Sequence, residues 1–116
     1  MSTTPNNAHG AAVVHCTSQI IKSCPLLTEI KLVLCNICDV SAATLATALR
    51  DGDTIIDLDI CCNGISDHGF RPLFSHGVIS RFRSFTGFRP ETDAGLHFLI
   101  DALPRATNLQ RLELTV

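Results

Sequence analysis

Tryptophan and tyrosine are absent from this chain of 116 residues, and charged residues make up only 17% of it. The net charge at neutral pH is −2. Domains that bind nucleic acid usually carry a clear excess of Lys and Arg, so this composition argues against nucleic acid as the partner of the whole chain. The stretch RFRSFTGFR, residues 81–89, interleaves Arg and Phe and leaves base stacking as a minor alternative.

Long apolar runs and an export signal are also missing. No apolar run approaches the roughly 20 residues that a membrane-spanning helix needs, so no membrane association is expected. The start of the chain is polar, and the first cation after the amino terminus is Lys22, so the pattern of a signal peptide is absent. We therefore expect a cytoplasmic protein, with a nuclear location also open, whose six cysteines are reduced thiols.

A repeated spacing of apolar positions is present in the first half of the chain. Two sets share the spacing 3, 2, 3, 2, and each member of the second set follows its counterpart in the first at an offset of 28 (55 − 27). A third copy is placed at an offset of 24 and a fourth at a further offset of 30. An offset of this size predicts a repeat architecture. The four sets are Leu27, Ile30, Leu32, Cys35 and Ile37; Ile55, Leu58, Ile60, Asn63 and Ile65; Ile79, Phe82, Ser84 and Gly87; and Leu109, Leu112 and Leu114.

The repeated pattern resembles the leucine-rich repeat, and CPLLTEIKLVLC at residues 24–35 resembles its cysteine-containing and ribonuclease-inhibitor-like subfamilies. The resemblance implies an α/β fold: a curved solenoid with parallel strands on the concave side and helices on the convex side. It covers residues 11–116 as one domain of three to four repeats, expected to be a fragment of a longer solenoid. Residues 1–10 are expected to form a flexible tail.

The residue pattern itself supports strands that alternate with helices. The short alternations at Ile30 and Leu32, and at Leu58 and Ile60, predict strands with one buried face. Two helical stretches follow, each with apolar residues at i, i+3, i+4 and i+7. They are Ala42, Leu45, Ala46 and Leu49, and Leu96, Leu99, Ile100 and Leu103.

The ends of these helices also have sequence signals. Asp39 or Ser41 is available to cap the first helix, and Thr92 or Asp93 to cap the second. Pro104 is expected to close the second helix. Between the second and third strands, Pro72 and Gly77 predict a brief or irregular helix.

The cysteines are interpreted as structural. Cys35 occupies the repeat position that Asn63 fills one copy later, and the resemblance implies that this side chain points inward and bonds the backbone of the turn. A zinc site at Cys35, Cys38, Cys61 and Cys62 is the alternative, but adjacent cysteines on a strand point to opposite faces. Redox chemistry at Cys35-x-x-Cys38 is a second alternative. Cys61 is expected to face solvent and to react faster than Cys35.

Catalytic and cofactor motifs are not recognisable in the chain. The five His residues make no pair at i, i+4, and neither a nucleophile elbow nor a Gly-rich phosphate loop occurs. We expect a chain that is not an enzyme and that needs no cofactor and no metal.

The outward face of the strands is the candidate binding site. Phe85 is predicted to be an exposed aromatic anchor beside Arg81 and Arg83, because aromatic and Arg residues dominate interface hot spots. The alternative is a ladder of self-compensating charges that contributes little stability. The expected columns across the repeats are Lys31, Asp59, Arg83 and Glu113; Glu29, Asp57, Arg81 and Arg111; and Val33, Cys61, Phe85 and Thr115.

These features favour a non-enzymatic scaffold that binds another protein on its concave face. The resemblance also leaves open the substrate-recognition segment of an F-box-type ubiquitin ligase, an alternative that needs a longer parent chain to supply the F-box. A leucine-rich-repeat GTPase-activating or regulatory protein is a third alternative, weakened because no Arg follows the first strand before Arg50. End-to-end self-association through uncapped repeats is also possible.

Overall fold

Four parallel strands alternate with helical segments along the chain. The computed structural model describes residues 5–115. The strands form one sheet in the order β1-β2-β3-β4, with all neighbours parallel. This confirms the mixed α/β class with a parallel sheet. The elements are α1 (Pro5–Ser23), β1 (Glu29–Lys31), α2 (Asp39–Gly52), β2 (Asp57–Asp59), α3 (Asp67–Phe70), a 3-10 turn (Arg71–Phe74), α4 (His76–Ile79), β3 (Ser84–Phe88), α5 (Asp93–Ala102), a second 3-10 turn (Leu103–Arg105) and β4 (Arg111–Leu114).

The helical predictions agree with the structure in their positions. In α2 the four apolar residues of the predicted stripe are all buried, so this helix is held by its packed face rather than by intrinsic propensity. The segment between β2 and β3 is broken into two short helices and a 3-10 turn that contains Pro72, as the Pro and Gly residues there predict. In α5 the outcome differs: Leu99 is buried, whereas Leu96, Ile100 and Leu103 are exposed.

The third repeat is displaced from its predicted position. Leu58 was expected to lie beside Phe82, but it pairs with Phe85, so the offset is 27 (85 − 58) rather than 24. Phe85 in turn pairs with Leu112, and the next offset is again 27 (112 − 85). The prediction of the third copy at Ile79, Phe82, Ser84 and Gly87 was therefore wrong by three positions.

Aromatic burial explains this displacement. Phe82, Phe85 and Phe88 are all fully buried, and the Phe88 ring packs edge-on against Phe70 and Phe74, with ring centroids 4.8 and 4.9 Å apart. The predicted alignment would have buried Ser84 and exposed Phe85. Burying a Phe side chain stabilises a protein by about 1.5–3 kcal/mol. The alignment that buries Phe85 is therefore favoured over the alignment that keeps the consensus spacing.

Gly87 makes the local geometry possible. Its φ is +100°, and a Cβ at this position would lie 2.6 Å from the backbone nitrogen of Cys61. Only glycine fits both constraints. The resulting irregularity lets Phe88, instead of Gly87, pair with Leu114, so Phe88 faces the core.

The flexible tail predicted for residues 1–10 is contradicted over residues 5–10. Helix α1 begins at Pro5, so residues 5–10, expected in a tail of residues 1–10, are helical. Gly10 is buried, and a Cβ there would lie 2.1 Å from the carbonyl oxygen of Asn36. This close approach holds the start of α1 against the turn after β1. Residues 1–4 and 116 lie outside the described part of the chain.

Asn63 ties the first two turns together. Its Oδ1 accepts hydrogen bonds from the backbone N–H groups of Cys35 (2.9 Å) and Ile37 (3.1 Å). Its Nδ2 donates to the carbonyl oxygens of Leu32 (2.7 Å), Ile60 (3.0 Å) and Cys61 (3.3 Å). The inward role predicted for this position is therefore confirmed for Asn63. Cys35, at the matching position one repeat earlier, is half-buried.

Candidate protein-binding face

The side chains on the outward side of the four strands form one surface, which we call the sheet face. Neighbouring parallel strands lie about 4.8 Å apart, so residues in register stand side by side. The structure brings together six of the predicted residues in two rows, and Ser84 and Thr86 replace the members expected from β3. The first row is Glu29, Asp57, Ser84 and Arg111, and the second row is Lys31, Asp59, Thr86 and Glu113.

Arg83 still contributes to the sheet face, but with a different partner. It lies directly before β3, and its guanidinium forms two bonds with the Asp57 carboxylate, Nη2 to Oδ2 at 2.6 Å and Nε to Oδ1 at 3.3 Å. The Ser84 hydroxyl also donates to Asp57 Oδ1 at 2.9 Å. The bonds from Arg83 lower the pKa of Asp57 and raise the pKa of Arg83 itself. Arg83 is therefore paired across to β2, and does not stand between Asp59 and Glu113 as predicted.

Arg81 lies away from the sheet face, so the position predicted for it beside Asp57 and Arg111 was wrong. Its Nη1 donates to the carbonyl oxygens of Leu49 (3.0 Å) and Arg50 (2.7 Å). These carbonyls belong to the last turn of α2, where helix carbonyls have no partner within the helix. A cation at this end also interacts favourably with the helix dipole. Arg81 thus links the loop before β3 to α2.

Phe85 is not an exposed anchor. Its side chain has 0% exposure, and its ring centroid lies 5.4 Å from that of Phe82 and 5.6 Å from that of Phe74. The cause is the displaced third repeat, which turns Phe85 to the core and Ser84 and Thr86 outward. The sheet face consequently has no aromatic side chain among the described residues.

Asp59 and Cys61 form a second polar contact at the carboxyl end of β2. Asp59 Oδ1 accepts a hydrogen bond from the Cys61 backbone N–H at 3.0 Å. Burial opposes ionisation of Asp59, but bonds from the Cys61 thiol and N–H outweigh it, so its pKa is lowered. The same thiol–carboxylate bond, followed by burial and the Asp59 charge, raises the pKa of Cys61 to about 11. Cys61 is half-buried, so both observations run against the predicted high reactivity of this thiol.

The other cysteines among the described residues are free thiols. Across residues 5–115, no group of three or more His, Cys, Asp or Glu side chains is arranged to hold a metal. Cys38 precedes α2, and its thiol lies 3.8 Å from the Ser41 hydroxyl. A backbone hydrogen bond from Ser41 contributes most to a lowered pKa of Cys38. Sequence spacing could not predict that the pKa of Cys38 is lowered, because this pKa shift depends on the geometry of the turn.

The hollow on the sheet face is small in volume, which suits contact with the surface of another protein rather than a small-molecule ligand. The hollow between its two rows has a volume of about 110 Å³, well below the roughly 300–1,000 Å³ of small-molecule sites. Val33, two residues after the end of β1, is exposed. Four carboxylates and three cations lie in or beside the rows, so the face is mixed in charge and close to neutral. The carboxylates are Glu29, Asp57, Asp59 and Glu113, and the cations are Lys31, Arg83 and Arg111.

A larger groove lies between α1 and α2. Its volume is about 850 Å³, and its walls include His15, Lys22, Thr47 and Asp51. No motif indicated this groove in advance, since its residues are spread over two helices. No helix among residues 5–115 has both the length and the apolar character required to cross a bilayer.

Comparisons with known proteins show the fold. No protein-family model and no curated protein matches this chain. Among solved structures, the chain is similar to one titled "Leiomodin-1 Actin-Binding Site 2 (ABS2)", with a TM-score of 0.73 and 15% sequence identity. The match covers 98% of this chain and 69% of that one. At this identity the likeness extends to the fold alone.

Proposed function

We propose that this chain is a non-enzymatic protein-binding module of the leucine-rich-repeat type, and that it binds a partner protein on the sheet face. The main support for the proposal is the alignment of polar and charged side chains in the two rows of the sheet face. Charged side chains stand in register on a rigid parallel sheet, around a hollow too small for a small-molecule ligand.

The repeat assignment is supported by the pairing of the strands. The core-facing positions Ile30, Leu58, Phe85 and Leu112 lie side by side at offsets of 28, 27 and 27. Near-constant offsets of this kind are typical of solenoids, in which each repeat stacks on its neighbour. The inward Asn63 supports the ribonuclease-inhibitor-like or cysteine-containing subfamily.

Binding on this face would depend on charge more than on an aromatic anchor. Arg111 and Glu113 are accessible to a partner, since their side chains are 70% and 54% exposed and their mutual contact is 3.7 Å long. Asp57 has 11% exposure and is occupied by Arg83. Complementary charges of this kind chiefly set orientation and association rate. Val33 would supply an apolar contact at the rim.

Actin is the first partner to test, because a solved structure with a similar fold is titled as an actin-binding site. A cytoplasmic location belongs to the same proposal. The solenoid curvature that would make the sheet face concave is also part of it.

Charge reversals on β1 test the proposal. Glu29→Lys and Lys31→Glu change the sheet face, whereas Lys22→Glu changes an exposed cation at the end of α1 and serves as the matched control. In cosedimentation with actin filaments, the two β1 variants should weaken binding about tenfold, and the control should leave it unchanged. Equal loss in all three variants would refute the assignment of the face.

A second arm covers other partner proteins. A photo-crosslinking amino acid placed at position 31 should capture a partner from cell extract, and the same group at position 22 should not. The captured protein, once purified, should lose affinity for the Glu29→Lys variant. Capture at both positions alike, or at neither, would count against a protein-binding sheet face.

A further inference from the structure

The end of the molecule formed by β4 and α5 exposes an apolar surface. Strand β4 is an end strand of the sheet, so one of its edges has no neighbouring strand among the described residues. The side chains of Leu96, Ile100, Leu103 and Leu114 are 38%, 55%, 45% and 49% exposed. We call these four residues, together with half-buried Leu112, the β4–α5 surface. Positions 96 and 100 fall on one side of α5, and Leu103 follows at the start of the second 3-10 turn.

The residues of this surface have buried counterparts elsewhere in the chain. At an offset of 54 (96 − 42), the helical positions correspond to Ala42, Ala46 and Leu49 in α2, all of which are buried. On the strand, Leu58 and Ile60 are each 1% exposed, while their counterparts Leu112 and Leu114 are not buried. The same repeat positions are therefore covered in one place and open in the other. An exposed apolar surface beside an unpaired strand edge is a template for association.

The charges on β4 indicate what covers this surface. The strand reads Arg111-Leu112-Glu113, with Arg111 and Glu113 on the sheet face and Leu112 between them. If two copies of β4 lie antiparallel about Leu112, Arg111 of each copy stands opposite Glu113 of the other. Opposite charges directly across an antiparallel pair are favourable, and like charges are unfavourable. Within one chain these two ions are 3.7 Å apart and well exposed, so they are free to exchange partners.

Strand β1 provides a useful contrast at the other edge of the sheet. It reads Glu29-Ile30-Lys31 and has the same charge symmetry. Its core-facing residues Ile30 and Leu32 are covered, since they are only 7% and 8% exposed, whereas the exposed Val33 and Leu34 lie in the turn after the strand. Pairing along β1 itself would bury little core-facing apolar area, and burial is the main driving force for association.

We propose that two copies of this chain associate through the β4–α5 surface, with the β4 strands antiparallel about Leu112. The α5 helices then meet through their exposed apolar side chains, and the two sheets join into a single continuous sheet. In such a sheet both sheet faces point to the same side, so the dimer presents two copies of the face to a partner. A repetitive partner would be held by avidity.

The mass of the particle in solution tests this proposal. Light scattering or sedimentation equilibrium of the full chain, from low to high micromolar concentration, should give a dimer at the upper concentrations. Ile100→Glu should give a monomer that keeps the circular dichroism of the wild type. Arg111→Glu should weaken the dimer about tenfold, because Glu then faces Glu across both pairs. The double variant Arg111→Glu with Glu113→Arg should recover it.

Lys31→Glu is the matched control, since it makes a comparable charge reversal on β1 and should leave the dimer intact. A wild type that stays monomeric at every concentration would overturn the proposal and leave the surface to a segment of another polypeptide. Failure of the double variant to recover the dimer would overturn the antiparallel arrangement. Because the partner-binding variants Glu29→Lys and Lys31→Glu lie on β1, a failure of the binding proposal is distinguishable from a failure of this one.

Discussion

The thiol of Cys61 should be unusually slow to react, and Asp59 should be the cause. The pKa of Cys61 is raised from 9.0 to about 11. At pH 8 this lowers the thiolate fraction from about 9% to about 0.1%, roughly 90-fold. A more basic thiolate is a better nucleophile, which recovers about six- to tenfold for a shift of this size. Alkylation of Cys61 should therefore be about tenfold slower than that of an ordinary exposed cysteine.

Asp59→Asn removes the charge but keeps Oδ1 as an acceptor for the Cys61 N–H. Burial continues to disfavour the thiolate, so we expect a partial recovery, with alkylation of Cys61 about three- to tenfold faster. Site-resolved mass spectrometry after timed iodoacetamide treatment measures this rate, in a Cys62→Ser background that separates the adjacent thiol. Cys24, which is exposed, is the internal reference. An unchanged Cys61 rate with an intact fold would refute the role of Asp59.

Three further predictions concern the fold that supports the sheet face. Phe85→Ala should destabilise the protein by about 3–5 kcal/mol in urea unfolding; a larger loss for the half-buried Phe98→Ala would mean that β3 is out of register. Asn63→Ala should cost about 2–6 kcal/mol in the same assay, because it orphans the N–H groups of Cys35 and Ile37 at about 1–3 kcal/mol each. A loss below about 1 kcal/mol would show that water replaces the side chain. Asp57 has a lowered pKa in the folded state, so its contribution is present above its unfolded pKa of about 4 and is lost as pH falls through the folded value. The stability difference between wild type and Asp57→Asn should be widest near pH 7 and should narrow as the pH falls below about 4; a difference that does not narrow at all below about pH 4 would contradict an ionic cause.

Much of the site could be predicted from the first two repeats. Their apolar positions alternate in a pattern set by the strand period of two, and each position is specified by several neighbours. Glu29, Lys31, Asp57 and Asp59 were therefore expected on the outward face, and the structure places them there. The predicted position of the fourth repeat was also correct, because Leu109, Leu112 and Leu114 keep the same spacing.

The third repeat required the tertiary structure. It contains several Phe residues that satisfy a spacing of three, and local pattern alone does not decide which of them pairs with Leu58. The register of β3 is fixed by Phe70 and Phe74 in the preceding segment, whose rings pack against Phe85 and Phe88. That repeated spacing of Phe residues was the one available signal in the sequence.

Local residue patterns were sufficient to predict the alternation of strands and helices, the parallel sheet, and the charge of the first two strands. These features follow from short-range periodicity, which neighbouring residues specify together. The packed core was needed to establish that Phe85 is buried, that Arg81 binds the end of α2, and that Arg83 pairs with Asp57. Each of these depends on contacts between segments that are distant in the sequence, and such contacts form only when the whole core is packed.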